Sequence, residues 1–325
     1  MKHTSVSLFD STVEKFPDNI AFYEKPDNKY LPTTYAEMQA NARSLAAGLK
    51  SLGIGKGDRV ALLSQARKDW IVSELAIFYL GAINVPLSTK LESADIAFRL
   101  THSGSKLLIV SEIQYPKVVD EIHTIESIGS VVLLDDKDNK NGKEIFVGQL
   151  IDKGTSILGE QPAYLDKDIE SVEDNDDALI SYTSGTSADP KGVMLTHKNL
   201  WINSLQCDEF FELNPQMISL LILPLDHSFA HTALMYTIMR NAASLASVQS
   251  GRSPAEALRN LPVNIKEIRP HLLISVPALS KNFKKNIEAG IRKKGRIAEL
   301  LFKFGILLGE YYHGLGYNRG KHLRS

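Results

Sequence analysis

The sequence is poor in cysteine and tryptophan and contains no long apolar run. Its single cysteine, Cys207, excludes an internal disulfide and fits a reducing compartment. Leu205, Gln206 and Asp208 around it offer no base and no metal partner, so it reads as an idle thiol. No stretch approaches the ~20 apolar residues that span a bilayer; LLFKFGILLG at 300–309 is short and broken by Lys303 and Gly305. The opening MKHTSVSLFDSTVEKFPDN lacks the apolar segment of a signal peptide. These absences lead to the expectation of a soluble, cytoplasmic protein. An excess of one charge is missing as well. With 37 Lys and Arg against 38 Asp and Glu the net charge is −1, which gives no pull toward nucleic acid.

What is present suffices for a sizeable core: 325 residues, 43% hydrophobic and 23% charged, enough for one large domain or two medium ones. Charge is unevenly placed. Residues 281–325 carry 11 basic residues against the acids Glu288, Glu299 and Glu310, leaving 26 basic and 35 acidic residues in the first 280. This basic, partly amphipathic segment is either a solvated helix face or a contact with an anionic ligand or membrane surface. The opposite cluster, DKDIESVEDNDD at 166–177, reads as an exposed acidic connection between two lobes, 1–165 and 178–325.

Helical and strand patterns alternate, which predicts an α/β architecture of mostly parallel sheets covered by helices. Thr34 with Glu37 has capping-box spacing, and Gly53 sits where that helix would stop. GIGKGD then turns into the strand RVALL; its glycines precede a strand, so a turn fits them better than a dinucleotide loop. DWIVSELAIFYLGAINVPL reads as helix, turn and strand, with Trp70 (like Trp201 further on) a packing residue. ESADIAFRLTHSGSKLLIVS reads as a helix stopped by Gly104, then a strand. SVVLLDD, ALISYT, SLLILPL and HLLISVP are further strands, and Ser253 with Pro254 and Glu256 marks a helix start.

TSGTSADPKG, residues 183–192, follows the strand ALISYT, where ligands of open parallel sheets bind. It offers what a polyphosphate needs. Glycine lets backbone N–H groups approach, Ser and Thr add short hydroxyl donors, and Lys191 adds a mobile charge. Pro190 stiffens the step before that lysine, which a linker does not require. The common nucleoside triphosphatase loop is absent, because Gly192 follows the lysine where Ser or Thr is needed. THKNLWINSLQ then begins a helix near Thr196. Elsewhere His227 and His231 have i, i+4 spacing, but Asp226 is the one nearby carboxylate, and no metal site is expected.

YTSGTSADPKGVMLTH resembles the signature of the adenylate-forming (AMP-binding) superfamily of acyl-CoA synthetases and luciferases, approximately Tyr-Thr-Ser-Gly-Thr-Thr-Gly-x-Pro-Lys-Gly-Val. Ser187 and Ala188 depart from it. FPDNIAFYE, GDRVALL, YLGAINVPLS and LILPLDHSFAH resemble further segments of the family in order. The tail from ISVPALSKNFKKNI onward is most similar to the long-chain fatty acid–CoA ligase branch.

The resemblance implies a fold, the large N-terminal domain of an adenylate-forming enzyme, here incomplete. It also implies a ligase that uses ATP and CoA, with Mg²⁺ bridging the phosphates. A carboxylate attacks the α-phosphorus to give acyl-AMP, and the CoA thiol then displaces AMP. Thr183, Ser184, Gly185, Thr186, Ser187 and Lys191 would hold the β and γ phosphates. His227, the candidate catalytic residue, and Phe229 would line the acyl pocket, a core histidine being the alternative for His227. The family's Tyr-Gly-x-Thr-Glu string, with its Mg²⁺-binding glutamate, and its catalytic-lysine domain do not occur in these 325 residues. The expectation is therefore an N-terminal portion that alone binds nucleotide weakly and turns over little. A non-catalytic nucleotide- or acyl-binding module and a ligase for another carboxylate are the alternatives. Small-molecule substrates are the expected partners, with membrane contact through the basic tail.

Overall fold

The computed structural model describes residues 2–135, 144–183, 190–249, 254–275 and 277–313. Local chemistry sets the element boundaries. Helix α1 (Ser5–Lys15) is capped by Thr4 and leads to an antiparallel hairpin, β1 (Ile20–Glu24) with β2 (Leu31–Thr34). Thr34 then caps α2 (Tyr35–Ser51): its hydroxyl accepts the Glu37 N–H at 3.1 Å while the Glu37 carboxylate takes the Thr34 N–H at 2.7 Å. Gly53, at φ 87°, turns the chain into β3 (Arg59–Leu63), so GIGKGD is a turn. Helix α3 (Lys68–Tyr79) is buried along nearly its whole length and leads to β4 (Ile83–Pro86). Helix α4 (Ser93–Ser103) ends on left-handed Gly104, and β5 (Leu107–Val110), β6 (Ser130–Leu133) and β7 (Ile145–Phe146) follow.

Helices α5 (Val147–Glu160) and α6 (Asp166–Ser171) precede β8 (Asp177–Thr183) and β9 (Lys191–Thr196). Helix α7 (His197–Phe211) begins where the sequence predicts, and Thr196 caps it with Asn199 completing a capping box. Then come β10 (Ile218–Leu221), a π-helix (Phe229–Tyr236), α8 (Thr237–Arg240), β11 (Ser244–Ser247) and α9 (Pro254–Ile268). The expected cap Ser253 lies outside the described residues. HLLISVP differs from expectation: Leu272 makes one parallel bridge to Ser219, and the described residues of the segment form no strand.

Two sheets result. One has the order β10-β11-β1-β2, the other β7-β6-β5-β3-β4-β8-β9, and the pairs β1–β2 and β8–β9 are the antiparallel ones. The mostly parallel, helix-covered α/β expectation holds. Val60 and Leu62 of β3 enter one apolar cluster while Ala61 and Leu63 enter the other, and Leu107/Ile109 and Leu108/Val110 of β5 divide likewise. The central strands of the large sheet are thus buried on both faces, which is why they read as continuous apolar runs. Trp70 is fully buried in this core; Trp201 is half-buried, edge-on to His3.

The lobes 1–165 and 178–325 do not separate. β1 pairs with β11 and β4 with β8, so each sheet draws strands from both sides of the acidic segment. That segment is a docked strap. Asp168 pairs with Lys50 at 2.5 Å, Asp176 with Lys56 at 2.7 Å, Asp174 with His3 at 3.1 Å and Glu173 with Lys2 at 2.8 Å. Its acids answer bases of the N-terminal region, a long-range match invisible to local composition. The two compact units are instead Met1–Ile274 and Ser275–Ser325. The second contains α10 (Pro277–Lys293) and α11 (Arg296–His313), on which Ile297, Leu300, Leu301 and Leu307 are exposed. No described helix is long and apolar enough to cross a membrane.

Candidate functional site

Strand β8 runs parallel beside β4 on one side and pairs antiparallel with β9 on the other. The sequence predicts a loop leading from strand to helix. The structure inserts β9 between them, so the signature string joins two antiparallel strands at the sheet edge. Register places Thr183 opposite Lys191 and Tyr182 opposite Gly192. Both Thr183 and Lys191 are exposed. The other expected phosphate ligands, Ser184, Gly185, Thr186 and Ser187, lie outside the described residues.

Glycine is needed at 192 for contact and not for dihedral reasons. A β-carbon there would meet Ile180 Cγ2 at 2.9 Å and the Tyr182 ring at 3.5 Å. Tyr182 anchors the hairpin to α4. Its hydroxyl lies 2.8 Å from His102 Nδ1, and the Arg99 guanidinium sits over its ring at 5.5 Å. Burial pushes the Tyr182 phenol up, so it stays protonated at neutral pH. Sequence alone gives no sign of His102 or Arg99 at the site, because their contact with Tyr182 spans about 80 residues of chain.

His227 and Phe229 follow β10 and open the next helix. The chain leaving β4 reaches Ser88, whose side chain hydrogen-bonds Asp226; burial raises the Asp226 carboxyl pKa and that bond opposes the shift. His227 and Phe229 are exposed at the start of the π-helix. The Phe229 N–H donates to His227 Nδ1 at 3.3 Å, and the His227 N–H donates to the Pro224 carbonyl at 3.2 Å. A neutral His227 ring accepting at Nδ1 carries its proton on Nε2. His231, four residues on, is fully buried with Nε2 2.8 Å from Glu74, so the i, i+4 pair faces two different environments. The alternative for His227, a core histidine, describes His231.

The described donor set fits part of a polyphosphate site: one hydroxyl and one ammonium, paired across the hairpin mouth where solvent reaches them. It does not supply a cation site. Among the described residues no three His, Cys, Asp or Glu side chains group as metal ligands. A cavity of about 260 Å³ opens at the carboxyl ends of β3, β5 and β6, lined by Gln65, Arg67, Glu112 and Asp135 among others. Neither the described hairpin residues nor His227 line it, and its Arg67 is committed to Asp69 at 2.5 Å and Asp135 at 2.6 Å.

Residues 9–302 match the family model described as AMP-binding enzyme. The chain belongs to that family. It is 33% identical over 221 residues to 4-coumarate–CoA ligase 4 of Arabidopsis thaliana, a match that covers 66% of the chain and 37% of the relative. It is 32% identical over 217 residues to the long-chain-fatty-acid–CoA ligase FadD13 of Mycobacterium tuberculosis, covering 66% of the chain and 40% of the relative. These matches thus span about 40% of the relatives' length. The inhibitor-bound N-terminal domain of FACL13 from Mycobacterium tuberculosis superposes with a TM-score of 0.69 at 26% identity, over 86% of the chain and 64% of that structure. A long-chain-fatty-acid–CoA ligase from Archaeoglobus fulgidus reaches a TM-score of 0.73 at 21% identity, covering 89% and 55%, and supports the fold alone. The matched range includes both strands of the hairpin, β8 and β9.

Proposed function

We propose that this chain supplies the phosphate-binding and carboxylate-binding parts of an ATP-dependent, AMP-forming acid–CoA ligase, with long-chain fatty acids the preferred acids. The observation that carries the reading is the hairpin pairing of Thr183 with Lys191 at the carboxyl end of β8. The Lys191 ammonium neutralises charge on the β and γ phosphates, and the Thr183 hydroxyl donates to them, together with Ser184, Gly185, Thr186 and Ser187. Charge held there favours departure of pyrophosphate when the carboxylate oxygen bonds to the α-phosphorus and the bond to the bridging oxygen breaks. The CoA thiol then loses its proton and displaces AMP from the acyl carbon. His227, with its proton on Nε2, donates a hydrogen bond to the substrate carboxylate and orients it, while Phe229 covers the acyl chain. Mg²⁺, when bound to the phosphates, supplies further charge neutralisation.

A second acid class has a specific observation behind it, because the 4-coumarate–CoA ligase is 33% identical over 221 residues. Carboxylate-dependent exchange of labelled pyrophosphate into ATP, measured on the full natural gene product, separates the two. Long-chain fatty acids are expected to support faster exchange than 4-coumarate by about tenfold or more. Faster exchange with 4-coumarate would reassign the acid, and no exchange with any carboxylate would end the ligase reading. Peripheral contact of the basic helix α10 and the exposed apolar residues of α11 with anionic lipid belongs to the same proposal, and a cytoplasmic location accords with it.

A further inference from the structure

The buried core beneath His227 contains a polar cluster that the reaction above does not use. Glu74 of α3, Asn84 of β4, and His231 and Tyr236 of the π-helix are each fully buried. The Glu74 carboxylate accepts from three donors: His231 Nε2 at 2.8 Å, Asn84 Nδ2 at 2.6 Å and the Tyr236 hydroxyl. The rings of His231 and Tyr236 stack at 5.7 Å, and Trp70 meets His231 edge-on at 5.3 Å. Burial and the nearby Glu74 charge hold the Tyr236 phenol far above its ordinary pKa, so it remains a donor.

Helical winding makes this cluster informative. His231 and Tyr236 are five residues apart. In an α-helix, at 3.6 residues per turn, such residues point about 140° apart and could not share one carboxylate. Hydrogen bonds from i to i+5 bring them one turn apart on the same face. The segment Phe229–Tyr236 is wound that way. A π-helix sacrifices packing and hydrogen-bond geometry relative to an α-helix, so it persists only where its surroundings specify it. Two side chains anchored on one buried carboxylate specify it. That carboxylate is itself held by Asn84, in the strand that leads on to Ser88 and its contact with Asp226.

We propose that Glu74 is a positioning residue that locks the π winding of Phe229–Tyr236 and thereby sets the orientation of His227 and Phe229 at the mouth of the carboxylate site. The lock stands on the geometry alone, while its importance for carboxylate binding rests on the function proposed above. Without the shared acceptor, the segment relaxes toward α winding. His227, whose carbonyl accepts the His231 N–H at 3.0 Å, then rotates with it.

The test uses the 325-residue chain and two substitutions at one site. Glu74→Leu keeps apolar bulk and removes the acceptor. Glu74→Gln keeps one acceptor oxygen for His231 and Tyr236, and its amide donates to Asn84 Oδ1 after that side chain flips; Oδ1 has no other partner among the described residues. Glu74→Leu is expected to raise hydrogen exchange in peptides covering 229–236 by about tenfold relative to α2, and to change Trp70 fluorescence. It is expected to weaken binding of the fluorescent fatty acid cis-parinaric acid about fivefold while ATP affinity stays within about twofold. Glu74→Gln is expected to restore all three readouts. Tyr236→Phe, which removes one donor and keeps the packing, gives a smaller shift in the same direction and covers the case in which Glu74→Leu does not fold. Unchanged exchange at 229–236 in these variants, or an equal rise in α2, would overturn the lock. Wild-type chain that binds neither ATP nor cis-parinaric acid would count against the proposed function, and the exchange pattern would still decide the lock.

Discussion

Gly154→Ala is expected to lower the unfolding free energy of the chain by about 3 kcal/mol or more, a large effect for one methyl group. Gly154 lies in α5 where it crosses α2. A β-carbon there would sit 1.7 Å from the Ser44 carbonyl oxygen and 2.7 Å from its carbon. The contact is reciprocal: a β-carbon on Gly48 of α2 would meet the Leu150 carbonyl oxygen at 2.5 Å. Both obstacles are backbone, so no rotamer change relieves them and the helices must separate. Separation exposes Leu45, Leu49 and Leu150, all of them buried. Gly159→Ala on the same helix is the control. Nothing lies within 4 Å of its added carbon. Better helix propensity should leave its stability unchanged or raised by about 0.5–1 kcal/mol. Urea unfolding of both variants checks this; a Gly154→Ala loss below about 0.5 kcal/mol would mean that the helices do not cross this closely.

Acidification from pH 7 to 4.5 is expected to cost about 2–3 kcal/mol of stability through His197 alone. This ring opens α7, is fully buried, and packs edge-on to Phe78 at 4.9 Å. Neither ring nitrogen has a hydrogen-bond partner among the described residues, and burial lowers its pKa to about 4. An unfolded histidine takes its proton near 6.5. Between about 6.5 and about 4 the unfolded chain therefore binds more protons than the folded one, and stability falls as pH falls. Asp174 and Asp176, whose pKa values are lowered in the fold, lose their contribution further down, below the usual carboxylate range. Urea midpoints of wild type and His197→Gln at pH 7 and 4.5 isolate the effect. The variant should lose less stability on acidification than wild type, and equal losses would remove His197 as the cause.

Features carried by neighbouring residues are legible in the amino-acid sequence. The caps at Thr34 and Thr196 and the stop at Gly104 need only side chains within a few positions. The apolar strands of the large sheet are legible because burial on both faces leaves no polar alternation to misread. What escapes depends on distant partners. β9 reads as loop because KGVMLT follows a proline and runs straight into a helix; only its pairing with β8 makes it a strand. HLLISVP has strand composition, yet it finds just one bridge. The acidic segment looks like a solvated connection, since the bases that hold it lie more than 100 residues earlier. At the site, Thr183, Lys191, His227 and Phe229 announce themselves through motif resemblance. Glu74 does not, because a buried acid has no local pattern, and Tyr182 stands in the motif without any sign of its anchor on His102. The His227–His231 spacing does not reveal that one ring faces solvent and the other the core.

Calorimetric titration of the 325-residue chain with ATP, beside the Lys191→Ala variant, tests the phosphate loop most directly. Lys191 is exposed, and its substitution is expected to leave folding within about 0.5 kcal/mol, so binding can be read without a stability correction. The loop assignment predicts weak saturable binding by wild type, reduced by about tenfold or more in the variant, as loss of a charge-assisted contact to phosphate requires. ATP affinity that is the same in both proteins would contradict it.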